Sequence, residues 1–215
     1  MELLYQDNRV LVCLKPVGVP STDEPGGVPE LARHALGDEK ACVRTVHRLD
    51  QVVGGVMVLA RSRRAAALLS EQIRQGGFEK EYLAVTEGQV EPEEGILRDL
   101  LVRDRVLRRT LVTDTPGKDV REAVLHYRVL DRREGFSLVR VKLDTGRTHQ
   151  IRCQFAHRDW PLAGDGKYGA APRAGEGIAL WSCALAFDHP QTGERMRFSA
   201  PPPAVWPWML FQFEI

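Results

Sequence analysis

The chain has 215 residues, of which 43% are hydrophobic and 27% charged, and its net charge is +1. This composition is typical of a soluble globular protein with a sizeable core, and the near-neutral charge does not by itself indicate a nucleic-acid partner. The four cysteines form no C-x-x-C pair, which predicts neither a zinc site nor a disulfide framework. No apolar run is long enough to span a membrane and no signal peptide is recognisable, so we expect a cytoplasmic protein.

The first 40 residues predict a β-hairpin and a short helix. Two apolar segments, Leu3–Tyr5 and Val10–Leu14, are separated by turn-forming residues. The segment Pro29–Leu36 has proline in its first turn and Gly37 just past its end, which is typical of a helix.

The stretch Thr45–Ala60 is the part of the sequence around which the rest is organised. A polar segment, His47-Arg48-Leu49-Asp50, precedes two glycines and the apolar run Val56–Ala60, which predicts a buried strand. A carboxylate at the mouth of a core strand is costly unless a cation pairs with it. We therefore expect Arg48 or another arginine to be the partner of Asp50, in either a structural ion pair or a catalytic site.

An amphipathic helix and a strand follow. Ser62 is placed to cap a helix over Arg63–Gln75, and Phe78–Val85 predicts a strand with Tyr82 in its middle. The charge-rich segment Glu87–Gly117 predicts an irregular excursion with one or two short strands.

The second half of the chain alternates hairpins with one more helix. Arg121–Leu130 and Phe136–Leu143 predict a hairpin, and Thr148–Arg158 has helical periodicity. Ile178–Phe187 and Met196–Ser199 predict another hairpin. The fold class predicted is α+β, with a mixed, largely antiparallel central sheet built from hairpins with flanking helices, in a single domain over residues 1–215.

The segment Gly164–Gly169 matches the dinucleotide fingerprint G-x-G-x-x-G. It neither follows a strand nor opens a helix, so we reject a nucleotide cofactor. A metal site at His47 and His149 is not expected either, because their spacing fits no helical H-x-x-x-H pair.

Three stretches concentrate polar side chains at the ends of predicted elements. They are HRLD at residues 47–50, KEY at residues 80–82 and GRTHQIR at residues 146–152. Together with LKPVG at residues 14–18 and PLAGDGKYG at residues 161–169, they resemble the RluA-type pseudouridine synthases, which isomerise uridine to pseudouridine within RNA. The resemblance runs from about Leu4 to about Ser199.

The resemblance implies a role for several residues. Asp50 becomes the catalytic aspartate, Arg152 its partner, Tyr82 the ring that stacks on the flipped base, and Arg48 the residue that holds the place of the target nucleotide. An ionised carboxylate paired with a guanidinium and an aromatic stacking surface suit this chemistry. Further candidates for RNA contacts are His47, Arg147, His149, Lys15 and Lys167. The reaction needs no metal and no cofactor.

The sequence departs from the family at Val53-Gly54-Gly55, where relatives often have Thr-Ser-Gly. The change removes a hydroxyl from the turn behind Asp50. Many relatives carry a small RNA-binding domain ahead of the catalytic unit, and we expect no such domain in this protein. We expect a monomer that modifies ribosomal or transfer RNA; the alternatives are a catalytically inactive RNA-binding protein and a glycosidase-like carboxylate pair of Asp50 with Asp165 or Glu81.

Overall fold

The computed structural model describes residues 1–171 and 177–212. These residues form three α-helices and eleven strands. In chain order the elements are β1 (Leu3–Gln6), β2 (Val10–Lys15), α1 (Val28–Leu36), β3 (Arg44–Thr45), β4 (Gly54–Ala60), α2 (Arg63–Gln75), β5 (Glu79–Glu87), β6 (Glu94–Asp104), β7 (Arg109–Thr113), β8 (Val120–Arg133), β9 (Phe136–Leu143), α3 (Gln150–Ala156), β10 (Leu180–Asp188) and β11 (Arg195–Ser199).

The chain divides into two compact units, of which the first comprises Met1–Lys80 and Trp181–Pro202. Its strands follow the order β1-β2-β4-β10-β11, and β3 also pairs with β4. The pairing of β4 with β10 is parallel, whereas the other pairings in this unit are antiparallel.

All seven residues of β4 are buried. Val56 and Val58 lie in the core cluster that includes Leu69 of α2, while Met57 and Leu59 lie in the cluster that includes Ala32 of α1. Both faces of the strand are therefore covered, which explains why its sequence is a continuous apolar run rather than an alternation.

The second unit comprises Glu81–Leu180 and the described residues from Pro203 onward. Its strands follow the order β5-β9-β8-β6-β7, and all their pairings are antiparallel. The α+β class and the largely antiparallel pairing predicted from the sequence are confirmed.

Helix α2 has the predicted bounds, and the Ser62 hydroxyl accepts a hydrogen bond from the Ala65 N–H at 3.1 Å. Helix α3 is shorter than predicted, because His149 has a left-handed backbone with φ of 54° and the regular helix starts only after it. The prediction of an irregular excursion over Glu87–Gly117 is wrong: β6 alone has 11 residues. Charged residues alternate with its buried leucines, and one of them, Asp99, is itself nearly buried in an ion pair with Arg158 at 2.9 Å, so composition did not indicate the strand.

We expect Leu69→Ala to lower the free energy of unfolding by about 2–5 kcal/mol, because the side chain is fully buried under β4. Leu68→Ala is the matched control, since the neighbouring Leu68 is 39% exposed, and it should cost less than about 1 kcal/mol. Urea denaturation of both variants measures the difference. Equal losses would contradict the assignment of the buried face of α2.

Candidate active site

Asp50 lies in the loop between β3 and β4, in the first unit. Its neighbours Leu49 and Val53 are 6% and 2% exposed, whereas Asp50 is half-buried. The Val53 N–H donates to the Asp50 carbonyl at 2.9 Å and closes a tight turn. The apolar neighbours thus anchor the loop in the core and leave the carboxylate at its edge.

Ser21 fixes the residue that precedes Asp50. Its hydroxyl donates to the Leu49 carbonyl at 2.7 Å and accepts from the Leu49 N–H at 3.1 Å. Ser21 is itself buried, and its carbonyl accepts a hydrogen bond from the Thr45 hydroxyl at 2.9 Å. One side chain therefore satisfies both backbone groups of Leu49. No pattern in the sequence indicates this role for Ser21.

Lys15 and Gly18 fix the residues that follow Asp50. The Gly18 N–H donates to the Gln51 carbonyl at 2.8 Å, and the Gln51 side-chain amide donates to the Gly18 carbonyl at 2.9 Å. The Lys15 ammonium donates to the carbonyls of Pro16, Gln51 and Val53 at 2.9, 3.1 and 2.7 Å. Its three protons match three acceptors.

Lys15 is fully buried. Burial lowers the pKa of its ammonium to about 8, while the negative charge of Asp50 raises it. The lysine is therefore still predominantly charged at neutral pH, on the inner side of the loop that carries Asp50. This placement favours a structural role, and the RNA contact that the resemblance implies for Lys15 stays a prediction.

His47 is buried and anchors the start of the same loop. Its Nε2 accepts a hydrogen bond from the Val58 N–H at 3.1 Å, and its ring centroid lies 5.3 Å from that of Phe78. The pKa of His47 is lowered to about 3, mainly because the ring is buried and also because the positive charge of Lys80 is nearby. The imidazole is therefore neutral at physiological pH and acts as a backbone acceptor, while an RNA contact stays a prediction.

The two glycines after Val53 are required by strand β10. In the parallel register, Gly54 lies opposite Trp181 and Gly55 opposite Ser182. A Cβ on Gly54 would lie 2.4 Å from Cζ3 of the Trp181 ring, and a Cβ on Gly55, whose φ is +123°, would lie 2.3 Å from the Ser182 carbonyl oxygen. The departure from Thr-Ser-Gly at Gly54 is thus explained by the tryptophan ring that fills this space.

In the second unit, Arg152 of α3 forms a buried bidentate ion pair with Asp165. The Nε–Oδ2 and Nη2–Oδ1 distances are 2.6 and 2.8 Å, and both side chains are almost inaccessible to solvent. The guanidinium carbon also lies 5.1 Å from the centre of the Tyr168 ring. Asp165 and Tyr168 hold Arg152 in place, a role that their membership of the GDGKYG segment did not indicate.

Tyr168 also connects α3 to strand β7. Its hydroxyl accepts a hydrogen bond from the Thr110 N–H at 2.8 Å and lies 2.8 Å from Nδ1 of His149. The Thr110 hydroxyl in turn donates to the Thr148 carbonyl at 2.8 Å. The start of α3, the GDGKYG segment and β7 are therefore joined through buried or half-buried polar groups.

The remaining predicted site residues differ in exposure. Tyr82 lies on β5 opposite Val141 and is 6% exposed. Arg48, Arg147 and Lys167 are exposed, and His149 is half-buried. The pairing of Asp50 with Arg152 and the roles of these residues toward RNA stay predictions.

Because His47 is neutral when folded and charges near pH 6.5 when unfolded, the unfolded chain binds more protons below pH 6.5. The contribution of His47 to stability is therefore present above pH 6.5 and is lost as the pH falls toward 3. We expect the wild type to lose about 2 kcal/mol more than His47→Gln between pH 6.5 and 4.5, since glutamine keeps an acceptor but does not titrate. If the free energies of unfolding of the wild type and of His47→Gln changed in parallel with pH, the buried neutral state of His47 would be contradicted.

We expect Gly54→Ala to lower the free energy of unfolding by about 1–3 kcal/mol, because the new methyl group meets the Trp181 ring. Gly77→Ala is the control, since its Cβ would have no neighbour closer than 3.8 Å. Gly54→Ala combined with Trp181→Leu should recover part of the loss in urea denaturation. Full stability of Gly54→Ala alone would show that the ring does not require glycine.

Comparison with known proteins places the chain in a family. A family model described as RNA pseudouridylate synthase matches residues 9–157. The uncharacterized RNA pseudouridine synthase YlyB of Bacillus subtilis is 35% identical over 213 residues, which cover 94% of this chain and 69% of that protein. Ribosomal large subunit pseudouridine synthase C of Escherichia coli is 35% identical over 216 residues, which cover 93% of this chain and 66% of that protein.

Two solved structures have the same fold. The human RNA pseudouridylate synthase domain containing 4 has a TM-score of 0.78 at 24% identity, over 94% of this chain and 88% of that chain. The human RNA pseudouridylate synthase domain containing 1 has a TM-score of 0.81 at 21% identity, over 95% and 84%. No helix within the described ranges is long and apolar enough to cross a membrane. Since the family model matches more than half of its residues, the chain belongs to the RNA pseudouridylate synthase family, as its resemblance to the RluA type predicts.

Proposed function

We propose that this chain isomerises uridine to pseudouridine in ribosomal RNA, with Asp50 as the essential catalytic residue. The observation that carries the proposal is the loop around Asp50, whose two flanks are fixed by Ser21, Gly18 and Lys15. Family membership supplies the reaction. Relatives named ribosomal large subunit pseudouridine synthases C and D support ribosomal RNA as the substrate.

The reaction breaks the bond between N1 of uracil and the ribose, rotates the base and joins it to the ribose through C5. The proton on C5 leaves to solvent and N1 of the uracil takes up a proton from solvent, so the product is an isomer of the substrate and no redox step occurs. The Asp50 carboxylate can act in either of two ways, as a nucleophile that attacks the ribose or as a base that removes a proton. The buried ammonium of Lys15, whose pKa the charge of Asp50 raises, attracts that carboxylate.

The other site residues act on the nucleotide. A base inside a folded RNA must leave its stack before the carboxylate reaches the sugar. The exposed Arg48 holds the vacated position, and Tyr82 offers its ring to the flipped uracil. Arg152, already oriented by Asp165, pairs with Asp50. His47, Lys15, Arg147, His149 and Lys167 are the further candidates for RNA contacts.

We also propose that residues 1–215 act as one catalytic domain, in the cytoplasm and as a monomer. The four cysteines are free thiols, which suits a reducing compartment. Sedimentation of the purified protein tests the monomer.

We expect Asp50→Asn to abolish tritium release from RNA labelled at C5 of uracil, because the amide cannot act as a carboxylate. The substrate is an unmodified transcript of bacterial large-subunit ribosomal RNA. Asp119→Asn, a change of the same type at an exposed position, should retain wild-type release. Equal release by Asp50→Asn would refute the catalytic role of Asp50, and RNA binding without release by the wild type would favour the inactive RNA-binding protein.

A further inference from the structure

A strongly basic turn joins strands β6 and β7. We name residues 103–109, with the sequence RDRVLRR, the arginine turn. Its four arginines and one aspartate give a net charge of +3, whereas the whole chain has +1. Positive charge is therefore concentrated at this one hairpin end, and neither the chain's net charge nor the family motifs indicate it.

The arginine turn is ordered by its own backbone. Strands β6 and β7 pair up to its base, with Arg103 opposite Thr110 and Asp104 opposite Arg109. The Asp104 carboxylate accepts hydrogen bonds from the N–H groups of Val106 and Leu107 at 2.9 and 2.8 Å. The one acidic side chain is thus used inside the turn, and the arginines are displayed on a preformed scaffold.

Three of the four arginines have no polar partner among the described residues, whereas the Arg109 guanidinium donates to the Lys167 carbonyl at 3.5 Å. The guanidinium groups of Arg103, Arg105 and Arg108 are exposed and make neither a hydrogen bond nor an ion pair within the part of the chain that the structure describes. Several other exposed arginines are paired, as Arg98 is with Glu122 at 2.7 Å. Unpaired guanidinium groups in one turn are suited to phosphate, which they bind bidentately.

The tip between these arginines is apolar. Val106 is 92% exposed and Leu107 is 51% exposed. An exposed apolar tip flanked by cations matches a nucleic-acid surface, where phosphates border a groove lined by bases and sugars.

The hairpin is also attached to the segment that orients Arg152. The Lys167 ammonium donates to the Arg108 carbonyl at 3.2 Å, and the Thr110 N–H donates to the hydroxyl of Tyr168, whose ring lies against the guanidinium of Arg152. A ligand on the arginine turn would therefore be bound by the same part of the second unit that carries a predicted catalytic residue.

We propose that the arginine turn is a docking surface for the phosphate backbone of the substrate RNA, with Val106 and Leu107 against the groove between the bound phosphates. The proposal rests on the proposed function in naming RNA as the occupant. It assigns an RNA contact to the hairpin of β6 and β7, which lies outside the catalytic motifs.

The test compares two pairs of arginines with the same change in charge. Arg105→Ala with Arg108→Ala removes the cations of the turn, and Arg63→Ala with Arg64→Ala removes two exposed arginines of α2. Both double variants are made in the wild type and in Asp50→Asn, so that binding is measured without conversion of the RNA. The probe is the unmodified large-subunit ribosomal RNA transcript, and thermal unfolding checks that both variants are folded.

We expect Arg105→Ala with Arg108→Ala to bind the RNA at least about tenfold more weakly than the parent protein. The slope of log affinity against log salt concentration should fall in magnitude by about two, one for each lost phosphate contact. KM for tritium release should rise by a similar factor with kcat unchanged. The control pair should change the affinity less than about threefold, because exposed arginines away from the RNA add only to a screened net charge.

Equal weakening by both pairs would overturn the proposal, since it would reduce the effect to net charge. Unchanged RNA affinity of Arg105→Ala with Arg108→Ala would also overturn the proposal. An acidic protein surface would then be the next candidate to test as the ligand of the arginine turn. RNA binding that depends on the turn, without tritium release by the wild type, would support the docking surface while refuting the proposed function.

Discussion

Asp50 is positioned through the backbone of the residues on either side of it. The Ser21 hydroxyl binds both backbone groups of Leu49, while the Lys15 ammonium and Gly18 bind the segment after Asp50. A buried ammonium is costly unless its protons are all used, and three carbonyls use them. The segment from Lys15 to Ser21 therefore acts as one clamp on both sides of the carboxylate, which is how a side chain on a loop acquires the fixed geometry that catalysis requires.

The loop that carries Asp50 leads into strand β4, which is fixed in the core of the first unit. Its two faces are covered by α1 and α2, so its residues are buried throughout. The close approach of β10 at Gly54 and Gly55 leaves no room for side chains there. Trp181 occupies the space over Gly54, and its indole N–H donates to the Ala200 carbonyl at 3.0 Å, which fixes the ring. The Trp181 ring therefore occupies the space that a hydroxyl-bearing side chain at position 54 would need.

Sequence patterns predicted the elements whose periodicity was strong. Helix α2 has its predicted bounds because Ser62 and Gly76 mark its ends, and β4 was recognisable from its apolar run. The long β6 was missed because charged residues interrupt its apolar positions. At the site, the motif pointed to Asp50, but composition could not show that Lys15 and His47 are buried or that Ser21 is a bidentate partner. Those properties depend on contacts between residues 11 to 38 positions apart, and a local pattern carries no signal of them.

Kinetics of Ser21→Ala beside Ser21→Thr measure whether the hydrogen bonds between Ser21 and Leu49 set the geometry of Asp50. With labelled ribosomal RNA, we expect Ser21→Ala to lower kcat by about 10- to 100-fold while KM stays close to the wild-type value, because the loop shifts but the RNA contacts remain. Threonine keeps the hydroxyl and should restore most of kcat. Wild-type kcat in a folded Ser21→Ala variant would show that Ser21 does not set the geometry of Asp50.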